Sequence, residues 1–223
     1  MKTELILCFP REKLLDPSLG ETQDDGVKFF SEEELCSLHE HVVIAPRHLM
    51  EKGGALAEDY AHIASYTAVV ETDEDGNFAR VFRYARAAAG GESMLHGNTS
   101  IGVGGHVNPW FRYNDVTFLT AETIAQSVSA SSRNELEEEI GLHAGIGKPV
   151  YMYAPTNEVG KYHICALSVA RVGDLDKYVG EEDAIGDMGP WVPGVDDPNM
   201  EAWSVILAHL IRMYNAGDRT YIK

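Results

Sequence analysis

Arg133-Asn134-Glu135-Leu136-Glu137-Glu138-Glu139-Ile140-Gly141-Leu142 sets glutamates at 135, 138 and 139, spaced three and four residues apart. On an α-helix of about 3.6 residues per turn, that spacing gathers the three carboxylates on one face. Leu136 and Ile140 fall on a different face, so the helix can be anchored on one side and acidic on the other. Glu137 points away from both and reads as a solvated surface charge. Like charges gathered in this way repel, and a helix gains nothing by concentrating them unless a cation sits among them. A plain solvated acidic face is the rival reading, and the run alone does not decide between the two.

Upstream, Ser100-Ile101-Gly102-Val103-Gly104-Gly105-His106-Val107 is a short apolar run ending in a glycine pair, the pattern of a strand followed by a loop whose backbone can approach a ligand closely. Gly141 stands where a helix C-terminus requires its stop. The order strand, Gly-Gly, loop, acidic helix, Gly, apolar residue resembles the signature of the Nudix hydrolase superfamily. There the glycine pair opens the motif, and an Arg-Glu-hydrophobic-any-Glu-Glu-any-Gly-hydrophobic segment closes it. Glu135, Leu136, Glu138, Glu139, Gly141 and Leu142 match the closing half position for position.

Two departures accompany the match. Asn134 stands where the family has the Arg that orients the carboxylates, and Arg133, one place earlier, is turned by about 100° on a helix and does not substitute. At the family spacing, Gln126 occupies a Glu position and Thr120 a Gly position, which implies an insertion between Gly105 and the glutamates. Tyr84-Ala85-Arg86, Leu95-His96-Gly97, the glycine-pair strand and the late Glu201-Ala202-Trp203-Ser204 are further similar to a bacterial branch of Nudix proteins labelled predicted phosphoesterases. The likeness runs over roughly residues 63 to 215.

The resemblance implies an α/β (α+β) fold, a Nudix-type α/β/α sandwich with a mixed sheet. Residues 1-62 are then an N-terminal extension packed on the core, and residues 63-223 the Nudix domain. It further implies a metal-dependent hydrolase that cleaves a pyrophosphate linkage in a nucleoside diphosphate derivative or a nucleoside triphosphate. Hard cations such as Mg²⁺, or Mn²⁺, suit carboxylate and carbonyl oxygens and would shield the phosphate charge from an attacking water. Glu138 and Glu139 are the first choice as ligands, Glu135 a third ligand or the group that orients the water, and the Gly105 carbonyl a backbone ligand of the family type. Arg86, His106 and Trp110 are candidate substrate contacts. For Arg86 the rival role is a surface salt bridge, for His106 a structural hydrogen bond, and for Trp110, with Phe111 and Tyr113, core packing or a dimer contact. Glu181, Glu182 and Asp183 are candidates for the general base, with solvated loop charge as the default. His96 and His163 read as structural, and Trp191 and Trp203 as packing residues.

The alternative function is a catalytically weak Nudix-fold nucleotide sensor, which Asn134 and Gln126 allow. An isoprenoid diphosphate isomerase of related fold ranks last, because it needs a cysteine near the glycine pair and none lies between Cys36 and Cys165.

Composition agrees with a soluble protein. The 223 residues are 44% hydrophobic and 24% charged, enough to bury a real core. A net charge of -17 argues against a nucleic-acid or anionic-membrane surface, since phosphate backbones demand a basic face. No apolar run approaches the roughly 20 residues that cross a bilayer, and the N-terminus lacks a signal-peptide pattern, so cytoplasmic residence is expected. The expected partner is a small nucleotide or diphosphate, and a homodimer follows by family analogy. Cys8, Cys36 and Cys165 lack metal-ligand spacing and read as reduced, buried thiols.

Local patterns predict the remaining elements. Leu5 to Phe9 is a strand stopped by Pro10, and residues 16–26 are loop. Ser31 caps a helix with Glu34 set for a capping box. Residues 66–70 and 81–86 are strands joined through the turn Asp73-Glu74-Asp75-Gly76-Asn77. A helix runs from the cap Thr120 to about Ile140, with Ile124 and Val128 on its inner side. Residues 149–154 and 162–170 are strands, 172–199 irregular, and 200–214 a helix whose apolar face holds Trp203, Ile206, Leu207, Leu210 and Ile211.

Overall fold

The computed structural model describes residues 4–86, 97–110, 119–178 and 185–222. Through these residues the chain runs β1 (Leu5–Pro10), α1 (Arg11–Leu14), β2 (Glu21–Thr22), β3 (Lys28–Phe30), α2 (Glu32–Cys36), β4 (Val43–Pro46), α3 (Arg47–Met50), β5 (Tyr60–Thr72), β6 (Phe78–Arg86), β7 (Thr99–Ser100), α4 (Ala121–Ile140), β8 (Val150–Tyr153), β9 (His163–Val172), β10 (Ile185–Trp191) and α5 (Ala202–Asn215). The class is α+β. The chain divides into two compact units, one of Met1–Ser65, Gly105–Ser132 and Pro149–Leu167, the other of Tyr66–Gly104, Arg133–Lys148 and Ser168–Lys223.

In the first unit, β1 pairs antiparallel with β4 and with the start of β5, and β8 pairs with β3 and β9. The period of two along β1 sends Leu7 and Phe9 to one face and Ile6 and Cys8 to the other. Leu7, Phe9, Phe30 and Leu35 from the first 62 residues share a core with Ile63, Ile124, Val128 and Ile164. The capping box at α2 forms as its sequence predicts: the Ser31 hydroxyl accepts from Glu34 N at 3.2 Å, and Ser31 N donates to Glu34 Oε2 at 2.8 Å. Cys8 and Cys36 are buried thiols, which burial pushes up to about 12 and about 11.

In the second unit, β6 pairs antiparallel with the end of β5, with β7 and with β10. The predicted turn is present: Asp73 Oδ1 accepts from Asp75 N and Asn77 N, and Gly76 takes φ +80°, a conformation that suits glycine. Val69, Phe82, Tyr84, Val103, Leu136, Ile140 and Leu142 form this unit's core.

A strand corrects the expectation of an irregular segment over residues 172–199. β10 contains Gly189 and Pro190, both poor strand formers, yet it pairs with β6 over Ile185 to Trp191 with an irregularity between Ile185 and Met188. The partner's backbone, distant in sequence, satisfies this stretch where local preference does not. Similarly, the stretch read as loop over 16–26 carries the two-residue β2, paired with β3. β5 begins at Tyr60 rather than at residue 66, and residues Ala61 to Ala64 are buried as well.

Ser100, Gly102, Glu201 and Ser204 meet Tyr66 in a buried polar knot. Tyr66 Oη lies 2.7 Å from Glu201 Oε1, 2.7 Å from Ser204 Oγ and 2.8 Å from Ser100 Oγ, and Ser204 Oγ also accepts from Ile101 N at 3.0 Å. Gly102 packs against the same tyrosine so closely that a Cβ there would meet Tyr66 Cε1 at 2.3 Å. Glycine is needed here by close approach. Gly102→Ala is therefore expected to lower unfolding free energy by about 1–3 kcal/mol, measured by urea denaturation, since the ring must leave its bonded position. A change within about 0.5 kcal/mol contradicts this packing.

Candidate functional site

α4 carries the predicted glutamates, and its ends are made by local chemistry. Thr120 Oγ1 accepts from Thr123 N at 3.2 Å and Thr123 Oγ1 from Thr120 N at 2.9 Å, a reciprocal N-terminal cap. Gly141, at φ +64°, closes the helix by donating its N–H to the Glu137 carbonyl at 3.0 Å. Ile124 and Val128 are buried in the first unit's core, and Leu136 and Ile140 in the second's. Glu135 and Glu139 are half-buried, Glu138 is exposed, and Glu139 Oε2 is fully enclosed. Glu137 is exposed, 3.7 Å from His143 Nδ1, as a surface charge should be.

The helix dipole disfavours carboxylates at this end. The last turn of α4 holds no basic residue, while its glutamates crowd the negative end of the helix dipole. The arrangement suits a bound cation, and its donors are hard carboxylate oxygens of the type that Mg²⁺ or Mn²⁺ selects. Among the described residues, however, the carboxylates of 135, 138 and 139 do not converge as closely as three histidines of the first unit, whose ring nitrogens lie within 4.8 Å of one another.

Gly105, the predicted backbone ligand, lies in the first unit, where its carbonyl accepts Ser65 N at 2.8 Å and Ser65 Oγ at 3.3 Å, so both lone pairs are engaged. His106 is mostly buried, and its ring faces His62 and His163. Trp110 is 64% exposed, with its backbone N–H held by Ser127 Oγ at 3.1 Å. Trp191 is buried, in agreement with a packing role. The Arg86 side chain, His96, Phe111, Tyr113, Glu181, Glu182 and Asp183 lie outside the described residues.

His62 carried no sequence signal. It sits inside β5, fully buried, 44 and 101 positions from its ring neighbours His106 and His163. Burial, with His163, His106 and Arg47 nearby, drives its pKa well below the usual histidine range. His106 is lowered to about 4, by burial first and then by Arg47 and His163, against the pull of Glu4. No helix among the described residues is long and apolar enough to cross a membrane.

No family model matches the chain. A curated relative, Protein YmaB of Bacillus subtilis (strain 168), is 32% identical over 111 residues, 48% of this chain and 47% of that protein. The match thus spans about half the length of that relative. Among solved structures, Tm1382, described as a candidate Nudix hydrolase, superposes with TM-score 0.64 at 22% identity, covering 95% of this chain and 100% of that one. That likeness shows the fold.

The histidine shifts predict a pH dependence. Below its ordinary value of 6.5 the unfolded His106 binds a proton that the folded ring refuses, so stability falls as pH drops towards about 4 and then levels off. The loss from this one ring is on the order of 3 kcal/mol. Urea denaturation between about pH 7 and about pH 4 should give a flatter profile for His106→Phe than for the parent chain. An equal slope contradicts the assignment.

Proposed function

We propose that this chain, which carries the Nudix fold, hydrolyses the pyrophosphate linkage of a nucleoside diphosphate derivative or a nucleoside triphosphate, with Glu138 and Glu139 as first ligands of Mg²⁺ or Mn²⁺. The observation that carries this reading is the end of α4, where Glu135 and Glu139 are half-buried beside Glu138, with no basic residue in the last turn. A bound divalent ion would neutralise phosphate oxygens and lower the pKa of the attacking water.

The chain's own residues supply the rest. Leu136 and Ile140 anchor the helix in the core from a different face. Glu139, one turn from Glu135, keeps one oxygen shielded from water, which strengthens its interaction with any cation. Glu135 is assigned as third ligand or as the group that orients the attacking water. A net charge of -17 repels polyanions, so a small phosphate ester carried in with its cation fits better than nucleic acid. Cytoplasmic residence and a homodimer belong to the same reading.

A second reading is a nucleotide sensor without efficient turnover. It is favoured by Asn134, which is exposed, and by Gln126, whose amide donates to Glu122 Oε1 at 3.1 Å and adds no carboxylate to the group. A Mg²⁺-dependent panel of nucleotide sugars, ADP-ribose, dinucleoside polyphosphates, coenzymes and triphosphates separates the two by release of phosphate or nucleoside monophosphate. Glu138→Gln is expected to cut turnover at least about a hundredfold while nucleotide binding persists. Unchanged turnover rejects the assignment, and binding with no turnover across the panel favours the sensor.

A further inference from the structure

His62, His106 and His163 come from three separate segments of the first unit. His62 lies in β5, His163 opens β9, and an isolated bridge between Ala64 and His106 brings the third ring alongside β5. Ring centroids stand 4.1 Å apart for His62 and His163, 4.9 Å for His62 and His106, and 6.2 Å for His106 and His163. One ring nitrogen from each lies within 4.8 Å of the others. His62 is 0% exposed and His163 5%.

Hydrogen bonding settles what these nitrogens offer. His163 Nδ1 lies 2.8 Å from the Val159 carbonyl, which can only accept, so Nδ1 carries a proton and the lone pair of the neutral ring sits on Nε2. Such a bond on the outer nitrogen is how metal-bound imidazoles are oriented. His106 turns Nδ1 towards Glu4 Oε1 at 4.0 Å and buries Nε2, which has no hydrogen-bond partner. Neither nitrogen of His62 has a partner, although its ring is wholly buried. Leaving a buried polar atom unsatisfied is costly, so this ring asks for a ligand. Burial holds His62 and His106 neutral, leaving their lone pairs available at neutral pH.

Arg47 opposes positive charge at these rings, but two carboxylates offset it. Arg47 is engaged by two carboxylates, Glu51 Oε1 at 2.6 Å from its Nε and Glu4 Oε2 at 3.1 Å from its Nη1, which leaves the group one negative charge in excess. Asn108 Nδ2 further fixes Glu4 Oε1 at 3.3 Å.

We propose that His62, His106 and His163 form a buried three-imidazole site for a divalent transition-metal ion of the zinc type, which staples β5, β9 and the segment after the glycine pair together. Nitrogen donors select Zn²⁺ and its neighbours over Mg²⁺ or Ca²⁺, so this site is chemically distinct from the glutamates of α4. Tetrahedral zinc with bonds of about 2.0–2.1 Å places ligand nitrogens about 3.3 Å apart, so the rings close by roughly 1–1.5 Å on binding. The fourth position falls to water or a small anion, and the enclosure gives the ion a structural role.

The test uses the full chain stripped with chelator, then titrated with Zn²⁺ or Co²⁺ in excess Mg²⁺ to saturate carboxylate sites. One equivalent is expected to bind, with visible Co²⁺ bands of a tetrahedral nitrogen-rich site and a rise in Tm. His62→Phe and His163→Gln are each expected to weaken binding by about tenfold or more and to remove the Co²⁺ spectrum, while Glu138→Gln retains both. If the histidine variants fail to fold, the Co²⁺ spectrum and Tm shift of the parent chain decide alone. Their absence overturns the site, and so does equal binding by folded His62→Phe, which would place the ion on surface histidines.

Discussion

The burial of aliphatic side chains along α4 sets the geometry of the candidate site. α4 buries Ile124 and Val128 among one set of residues and Leu136 and Ile140 among another, and the Thr120–Thr123 cap and Gly141 fix where it starts and stops. The burial of four aliphatic side chains, each contributing about 1.5–3 kcal/mol, outweighs the few tenths to one kcal/mol by which each glutamate disfavours the negative helix end. The chain can therefore hold carboxylates where the helix dipole alone would not. In the proposed hydrolase, these oxygens hold the cation that brings in the anionic substrate.

Much of this was legible because it is local. The capping box at Ser31, the turn at Asp73 to Asn77, the limits of α4 and its apolar positions all follow from residues within a few places of one another, where propensity and hydrogen bonding decide conformation. β10 was not legible, since Gly189 and Pro190 argue against a strand and only pairing with β6 makes one. The roles of Ser100, Glu201 and Ser204 are half legible: they stand in stretches that resemble a known family, but the buried hydroxyl and carboxylate knot they make with Tyr66 exists only in three dimensions. For the candidate site, the glutamates announced themselves by helical spacing, whereas His62 meets His106 and His163 across 44 and 101 positions and leaves no pattern to read.

In the proposed reading the two groups divide metal chemistry between them. Oxygen donors at the end of α4 are partly open to water, as turnover of a phosphate substrate requires, while nitrogen donors around His62 are enclosed and suit a lasting structural ion. Gly105 marks the contrast: its carbonyl already serves Ser65, so the glycine pair contributes backbone order here before it contributes any ligand.

Whether the α4 carboxylates hold a divalent cation is tested most directly by anomalous diffraction from crystals soaked in Mn²⁺. An anomalous peak is expected about 2–2.4 Å from carboxylate oxygens of Glu138 and Glu139, lost in a Glu138→Gln, Glu139→Gln double variant. A well-diffracting crystal with no peak at those oxygens, or with the same peak in the double variant, would contradict the assignment.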